Sequence, residues 1–166
     1  VHPSIYHFED SLSNGVKYYF NSINLNKKIR PVNRLDKDTT GIVIFAKNEY
    51  IQEDLIKQMK MNIFKKEYLA ILDGYINKKN GKIDARIARK TNSIIEREIN
   101  PQGEIAVSYY SLIKNFVKNN IELSLVKFIL ETGRTHQIRL HSNYIGHPII
   151  GDTLYGNSSS LISRQA

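Results

Sequence analysis

Ile105-Ala106-Val107-Ser108-Tyr109-Tyr110-Ser111-Leu112-Ile113-Lys114-Asn115-Phe116 is followed by the polar turn Lys118-Asn119-Asn120. Ile121-Glu122-Leu123-Ser124-Leu125-Val126-Lys127-Phe128-Ile129-Leu130 comes next. Two strand-forming runs of this length around a short polar break predict an antiparallel pair, with Tyr109 and Tyr110 packed in a sheet. Working upstream, Lys82–Ala88 alternates at period two, and Asn80-Gly81 ahead of it signals a hairpin. Tyr68–Leu72 reads as a strand ending at the turn Asp73-Gly74, and Ile42–Ala46, after Gly41, as a short buried strand. Asn48 then caps a helix to about Asn62, with Ile51, Leu55, Ile56 and Met59 as its apolar stripe. The polar segment 89–103 reads as a loop. Downstream, Arg134 to Tyr144 reads as a helix stopped by Gly146, with Ile138 and Ile145 toward the core. The serine-rich tail after Gly156 is expected to be mobile. Hairpin-spaced strands with two helices predict an α+β fold with a mostly antiparallel sheet. No internal repeat or linker divides the 166 residues, so one domain is expected.

Composition narrows the function. The chain is 41% hydrophobic and 24% charged, which is globular and not disordered. The sequence has no cysteine, which excludes a disulfide framework, a thiolate zinc site and a cysteine nucleophile. No apolar run is long enough to span a membrane, and none of the usual signal-peptide features open the chain. Lys and Arg number 24 against 16 Asp and Glu, a formal charge of +8. An excess of this size favours polyanions, either nucleic acid or an anionic membrane surface, although lysines that merely solvate the protein are the plainer reading.

Two stretches concentrate chemistry. Asn33-Arg34-Leu35-Asp36-Lys37-Asp38-Thr39-Thr40-Gly41 sets carboxylates, cations and hydroxyls in one loop ahead of an apolar run. Cations beside a carboxylate favour its charged form, so Asp36 is a candidate nucleophile or base, although Asp, Thr and Gly are also ordinary turn residues. Glu131–His141 carries Arg134 and Arg139 on the predicted helix, where Thr135 and Arg139 are i, i+4 neighbours and His136 and Arg139 share a face. Arginines there suit phosphate or carboxylate, and a basic surface helix is the plainer reading. His136, His141 and His147 lack metal-binding spacing, so no metal is expected. Nor is there a Gly-rich phosphate loop or a nucleophile elbow.

Together these stretches resemble the RluA-type family of RNA pseudouridine synthases. The resemblance runs through Asn33–Gly41, Lys66-Glu67-Tyr68-Leu69-Ala70, Glu131–His141 and Gly146-His147-Pro148-Ile149-Ile150-Gly151-Asp152-Thr153-Leu154-Tyr155-Gly156, in that order. Asn33 stands where the family usually has His, and Thr39-Thr40-Gly41 where it often has Thr-Ser-Gly. The resemblance implies an α+β fold around a long, bent, mostly antiparallel sheet with flanking helices and an RNA-binding cleft. It implies isomerisation of uridine to pseudouridine in ribosomal or transfer RNA, with no cofactor and no metal. Asp36 is then the essential carboxylate, Arg139 the cation that holds it, and Tyr68 the ring that stacks on the target uracil. Arg34 would fill the gap left by the flipped base or hold a phosphate, Arg134 would touch phosphate, and Thr40 would shape the RNA-facing loop. The expectation is a cytoplasmic, membrane-free monomer. Its 166 residues would form a catalytic domain incomplete at both termini and without the upstream S4 domain. Two other readings remain: a non-catalytic RNA-binding module of the same fold, and a metal-dependent nuclease, against which the missing ligand set argues.

Overall fold

The structure is a computed structural model that describes residues 9–156. The chain falls into two compact units, residues 1–64 and 65–166.

In the first unit, α1 (Leu12–Ser22) begins where Ser11 and Asn14 form a reciprocal capping box, and it buries Phe20. A two-residue strand, β1 (Arg30–Pro31), pairs antiparallel with β2 (Phe45–Ala46). Asn48 then caps α2 (Glu49–Lys60), its side chain accepting from the Ile51 amide at 2.9 Å. Arg30 ties α2 to β1 through Glu49 at 3.1 Å and Gln52 at 3.3 Å.

The second unit is built on the antiparallel sheet β3-β8-β7-β4. Its strands are β3 (Lys66–Asp73), β4 (Asn80–Asp84), β7 (Val107–Lys118) and β8 (Ile121–Leu130). A separate two-stranded hairpin joins β5 (Ile87–Arg89) to β6 (Arg97–Ile99), and α3 (Gln137–Tyr144) follows β8. Asn119 and Asn120, both at positive φ (51° and 61°), make the β7–β8 turn, the conformation whose twist matches a tight hairpin. Opposite that turn's partner strand, the register shifts between Leu112 and Lys114, an irregularity of the kind that bends a strand. Leu72, Ile83, Tyr110, Val126, Phe128 and Ile149 form the main core of this unit. A satellite cluster gathers Ile87, Ala106 and Leu140. The edge of β3 is extended by residues 148–150: the Asp73 amide donates to Pro148 O at 2.9 Å and the Ile150 amide to Ile71 O at 3.0 Å.

The fold is α+β with a large antiparallel sheet, as expected, but several local expectations change. There are three helices among the described residues, not two: α1 is additional to the two the sequence predicts. Only Phe45 and Ala46 of the run from Ile42 form strand, and Ile42 is 80% exposed. The run closes a loop and does not cross a core. Asn80-Gly81 is no turn: it lies inside β4, with Gly81 opposite Tyr110, and a Cβ there would sit 2.3 Å from the tyrosine ring. The glycine makes room for a ring. The period-two alternation of Lys82–Ala88 holds in burial, yet the run is divided between β4 and β5. Segment 89–103 contains β6 and is not all loop. On α2 no residue is fully buried, and Ile51 is half exposed, so the predicted stripe is shallow. The helix near residue 134 starts three residues late: Thr135 is outside it, and His136, left-handed at φ 58°, is its N-cap. The i, i+4 pairing of Thr135 with Arg139 is thereby lost. Gln137, Leu140, His141 and Ser142 are the fully buried face, with Ile138 and Ile145 only partly buried at its margin. The tail after Gly156 lies outside the described residues.

Candidate active site

Asp36 sits in a loop whose ends are drawn together. β1 and β2 pair at its base, and the Val32 amide donates to Ile44 O at 2.8 Å. Asn33 closes the neck twice: its Nδ2 donates to Ile42 O and its Oδ1 accepts from the Ile44 amide, both at 2.9 Å. The side-chain amide thus substitutes for two strand hydrogen bonds. The Thr39 amide donates to Asp36 O at 3.1 Å, so Asp36 opens a tight turn. Asp36 is half-buried, while Arg34 and Thr40 are exposed on the same loop. All three belong to the first unit.

Tyr68 and Arg139 belong to the second. Tyr68 lies on β3, paired with Phe128 of β8, and packs against the main core while half-exposed. It is on the strand where the sequence placed it. Arg139 lies in α3 and is held on several sides. Its Nε donates to Asp152 Oδ2 at 2.7 Å and its Nη2 to Asp152 Oδ1 at 2.6 Å, a two-pronged pair with side-chain exposures of 12% and 1%. The Tyr155 ring lies 4.9 Å from the guanidinium carbon. Asp152 is itself fixed, because Oδ1 accepts from the Leu154 and Tyr155 amides at 2.9 and 3.1 Å. Burial pushes the Asp152 carboxyl up, but the bonds from Arg139 and these amides, with the Arg139 charge, outweigh it and hold the group below its ordinary value. Tyr155 is anchored at its far end, where its hydroxyl accepts from the Arg97 amide at 2.7 Å and meets His136 Nδ1 at 2.8 Å.

Beneath α3 runs a buried polar chain. Gln137 Nε2 donates to Val107 O and to Ser108 Oγ, at 3.0 and 2.9 Å. Gln137 Oε1 accepts from the Thr132 hydroxyl and the Arg134 amide. His141 meets Ser108 Oγ with Nδ1 and Ala85 O with Nε2, both at 2.9 Å. A carbonyl only accepts, so Nε2 carries the proton. Burial pushes the His141 pKa down and keeps the ring neutral. These bonds seat α3 on β7 and thereby set where Arg139 starts.

Asp152 and Tyr155 fall in a segment that carries the resemblance but have no role assigned from sequence, and the polar chain is not predicted at all. Arg134 is not part of the Arg139 cluster. It pairs with Glu104, and its Nε donates to Ile105 O at 3.0 Å. Among the described residues no group of three or more His, Cys, Asp or Glu stands together as a metal site. No helix among them is long and apolar enough to cross a membrane.

Comparison with known proteins gives the family. The family of RNA pseudouridylate synthases matches residues 3–144, and the chain belongs to that family. It is 38% identical over 99% of its length to the uncharacterized RNA pseudouridine synthase YjbO of Bacillus subtilis. It is also 38% identical, over 97% of its length, to ribosomal large subunit pseudouridine synthase D of Blochmanniella floridana. These matches take up 56% and 49% of the two relatives, so the chain spans about half the length of the curated relatives it matches. Among solved structures, human RNA pseudouridylate synthase domain containing 1 superposes with a TM-score of 0.78 at 26% identity, over 93% of this chain and 65% of that one.

Proposed function

We propose that this chain is the catalytic part of an RNA pseudouridine synthase acting in the cytoplasm on uridines of ribosomal or transfer RNA. The observation that carries the reading is that the family match spans Asp36, Tyr68 and Arg139 together. The target nucleotide leaves its stack, since the reacting atoms are unreachable inside a helix. The C1′–N1 bond breaks and N1 keeps the electron pair; the uracil turns, C5 joins C1′, and the proton lost from C5 is balanced by one taken up at N1. Asp36 is the essential carboxylate of this exchange and Arg139 the cation that orients it. Tyr68 stacks on the uracil and assists removal of the C5 proton. Arg34 fills the gap left by the flipped base or holds a phosphate, and Thr40 shapes the loop beside it. The clamp of Asp152 and Tyr155 on Arg139 supports the assignment: a guanidinium fixed before substrate arrives has little reorganisation left to do.

Asp36→Asn tests it. The amide keeps the shape and loses the charge, so pseudouridine formation should vanish while circular dichroism and RNA affinity stay unchanged. Wild-type turnover in Asp36→Asn would remove the aspartate from its role. A folded wild-type chain that binds RNA and leaves every uridine unchanged would favour the RNA-binding module instead.

A further inference from the structure

The β5–β6 hairpin sets two arginines directly opposite one another, Arg89 across from Arg97. Opposite residues on an antiparallel pair share a face, and like charges there repel. The neighbouring carboxylates are engaged elsewhere. Glu96 pairs with Lys90, and Glu98 accepts from Asn100 Nδ2 at 2.9 Å. Among the described residues Arg89 has no carboxylate partner. Arg97 is oriented by its own turn, Nη1 donating to Glu96 O at 3.0 Å and Ile95 O at 3.2 Å.

Both arginines line an open cavity of about 450 Å³, together with Arg134, Glu104, Gly133 and Thr135. The one carboxylate residue on its wall, Glu104, is already paired with Arg134, so three arginines and one acid line it. Lys66 stands behind Gly133, where a Cβ would meet its Nζ at 3.0 Å. Burial, and then the Arg134 charge, push the Lys66 pKa down. No aromatic ring lines the cavity, so it offers a base no stacking platform.

We propose that this cavity is a subsite for a phosphate of the RNA backbone, held between Arg89 and Arg97. The inference rests on the RNA-substrate reading above. A phosphodiester takes guanidiniums in the forked geometry they prefer, and its charge offsets the repulsion between the two opposed arginines. Phosphate contacts position RNA without reading its sequence.

Arg89→Gln is the test, with fluorescein-labelled RNA hairpins of two different loop sequences as probes. Affinity should fall several-fold for both, and the slope of log K against log salt should shrink by about one. Arg89→Lys should restore the slope, because the point charge is back. Arg89→Gln should also melt no lower than wild type, since it relieves the Arg97 repulsion. Wild-type affinity and slope in Arg89→Gln would overturn the subsite. So would protection of the wild type by inorganic phosphate without any loss of RNA affinity in the variant, which would mark an anion site that RNA does not use. Failure of the broader reading looks different: the wild type itself would then neither bind RNA nor convert uridine.

Discussion

Arg139 and Asp152 meet through two parallel hydrogen bonds of 2.7 and 2.6 Å, in a place where the carboxylate is almost wholly sealed from water. The pair joins α3 to the segment that extends the β3 edge, and each partner is held by others. A buried pair so anchored is costly to break from one side, because the surviving charge is left uncompensated.

Asp152→Asn should therefore lower unfolding free energy by about 3 kcal/mol, read from denaturant melts. It should also lower kcat more than it raises KM, because the guanidinium loses its fixed aim while the RNA-binding surface is intact. Full turnover in a folded Asp152→Asn protein would show that the clamp serves stability alone.

Stability should fall in acid in two stages. His141 is held neutral, so the unfolded chain takes up a proton near pH 6.5 before the folded one does. Its contribution is complete above that pH and declines below it, with a limiting slope of about 1.4 kcal/mol per pH unit. Asp152, titrating below the ordinary 3.8, adds stability that is complete above that value and lost only as the pH falls further, through its folded-state pKa. Melting temperatures across a pH series should show the first decline in the wild type and a shallower one in His141→Gln.

Gly81→Ala should destabilise the sheet by about 1–3 kcal/mol, the usual range for overpacking. The new methyl would collide with the Tyr110 ring, which the core holds in place. Pairing it with Tyr110→Leu should recover part of the loss, and equilibrium melts of the wild type, both single variants and the double variant would show the coupling.

Tyr68→Phe separates stacking from proton removal. If the hydroxyl assists at C5, the phenylalanine variant should bind RNA as the wild type does and lose at least tenfold in kcat, measured under single turnover. Tyr68→Ala should lose both. Unimpaired turnover in Tyr68→Phe would reduce Tyr68 to a stacking surface.

Where local chemistry decides local structure, the sequence was readable. Asn48 caps α2 because its side chain reaches an amide three residues on, and Ile121–Leu130 is a strand because β-branched and apolar residues recur along it. Reading failed where a distant partner decides. Asn80-Gly81 has the composition of a turn, yet its glycine is there for Tyr110, far along the chain but opposite it in the β4–β7 register. The run from Ile42 reads as a buried strand from its hydrophobicity, although Asn33 uses those residues to close a loop. Asp36, Tyr68 and Arg139 are proposed on the resemblance. Asp152 could not be assigned a task, since its relation to Arg139 exists only once the chain returns along β3.

The hydrogen bonds below α3 also have a direction. Gln137 donates to Ser108, which leaves the serine hydroxyl to donate to His141 Nδ1, which leaves Nε2 to donate to Ala85 O. Every proton has one place, and no member can reverse its role unless its neighbours do. Ser108, Gln137 and His141 should thus behave in mutational terms as a single site. Losing a second member should cost far less than losing the first, and a drifting sequence has to replace all three together or leave them alone.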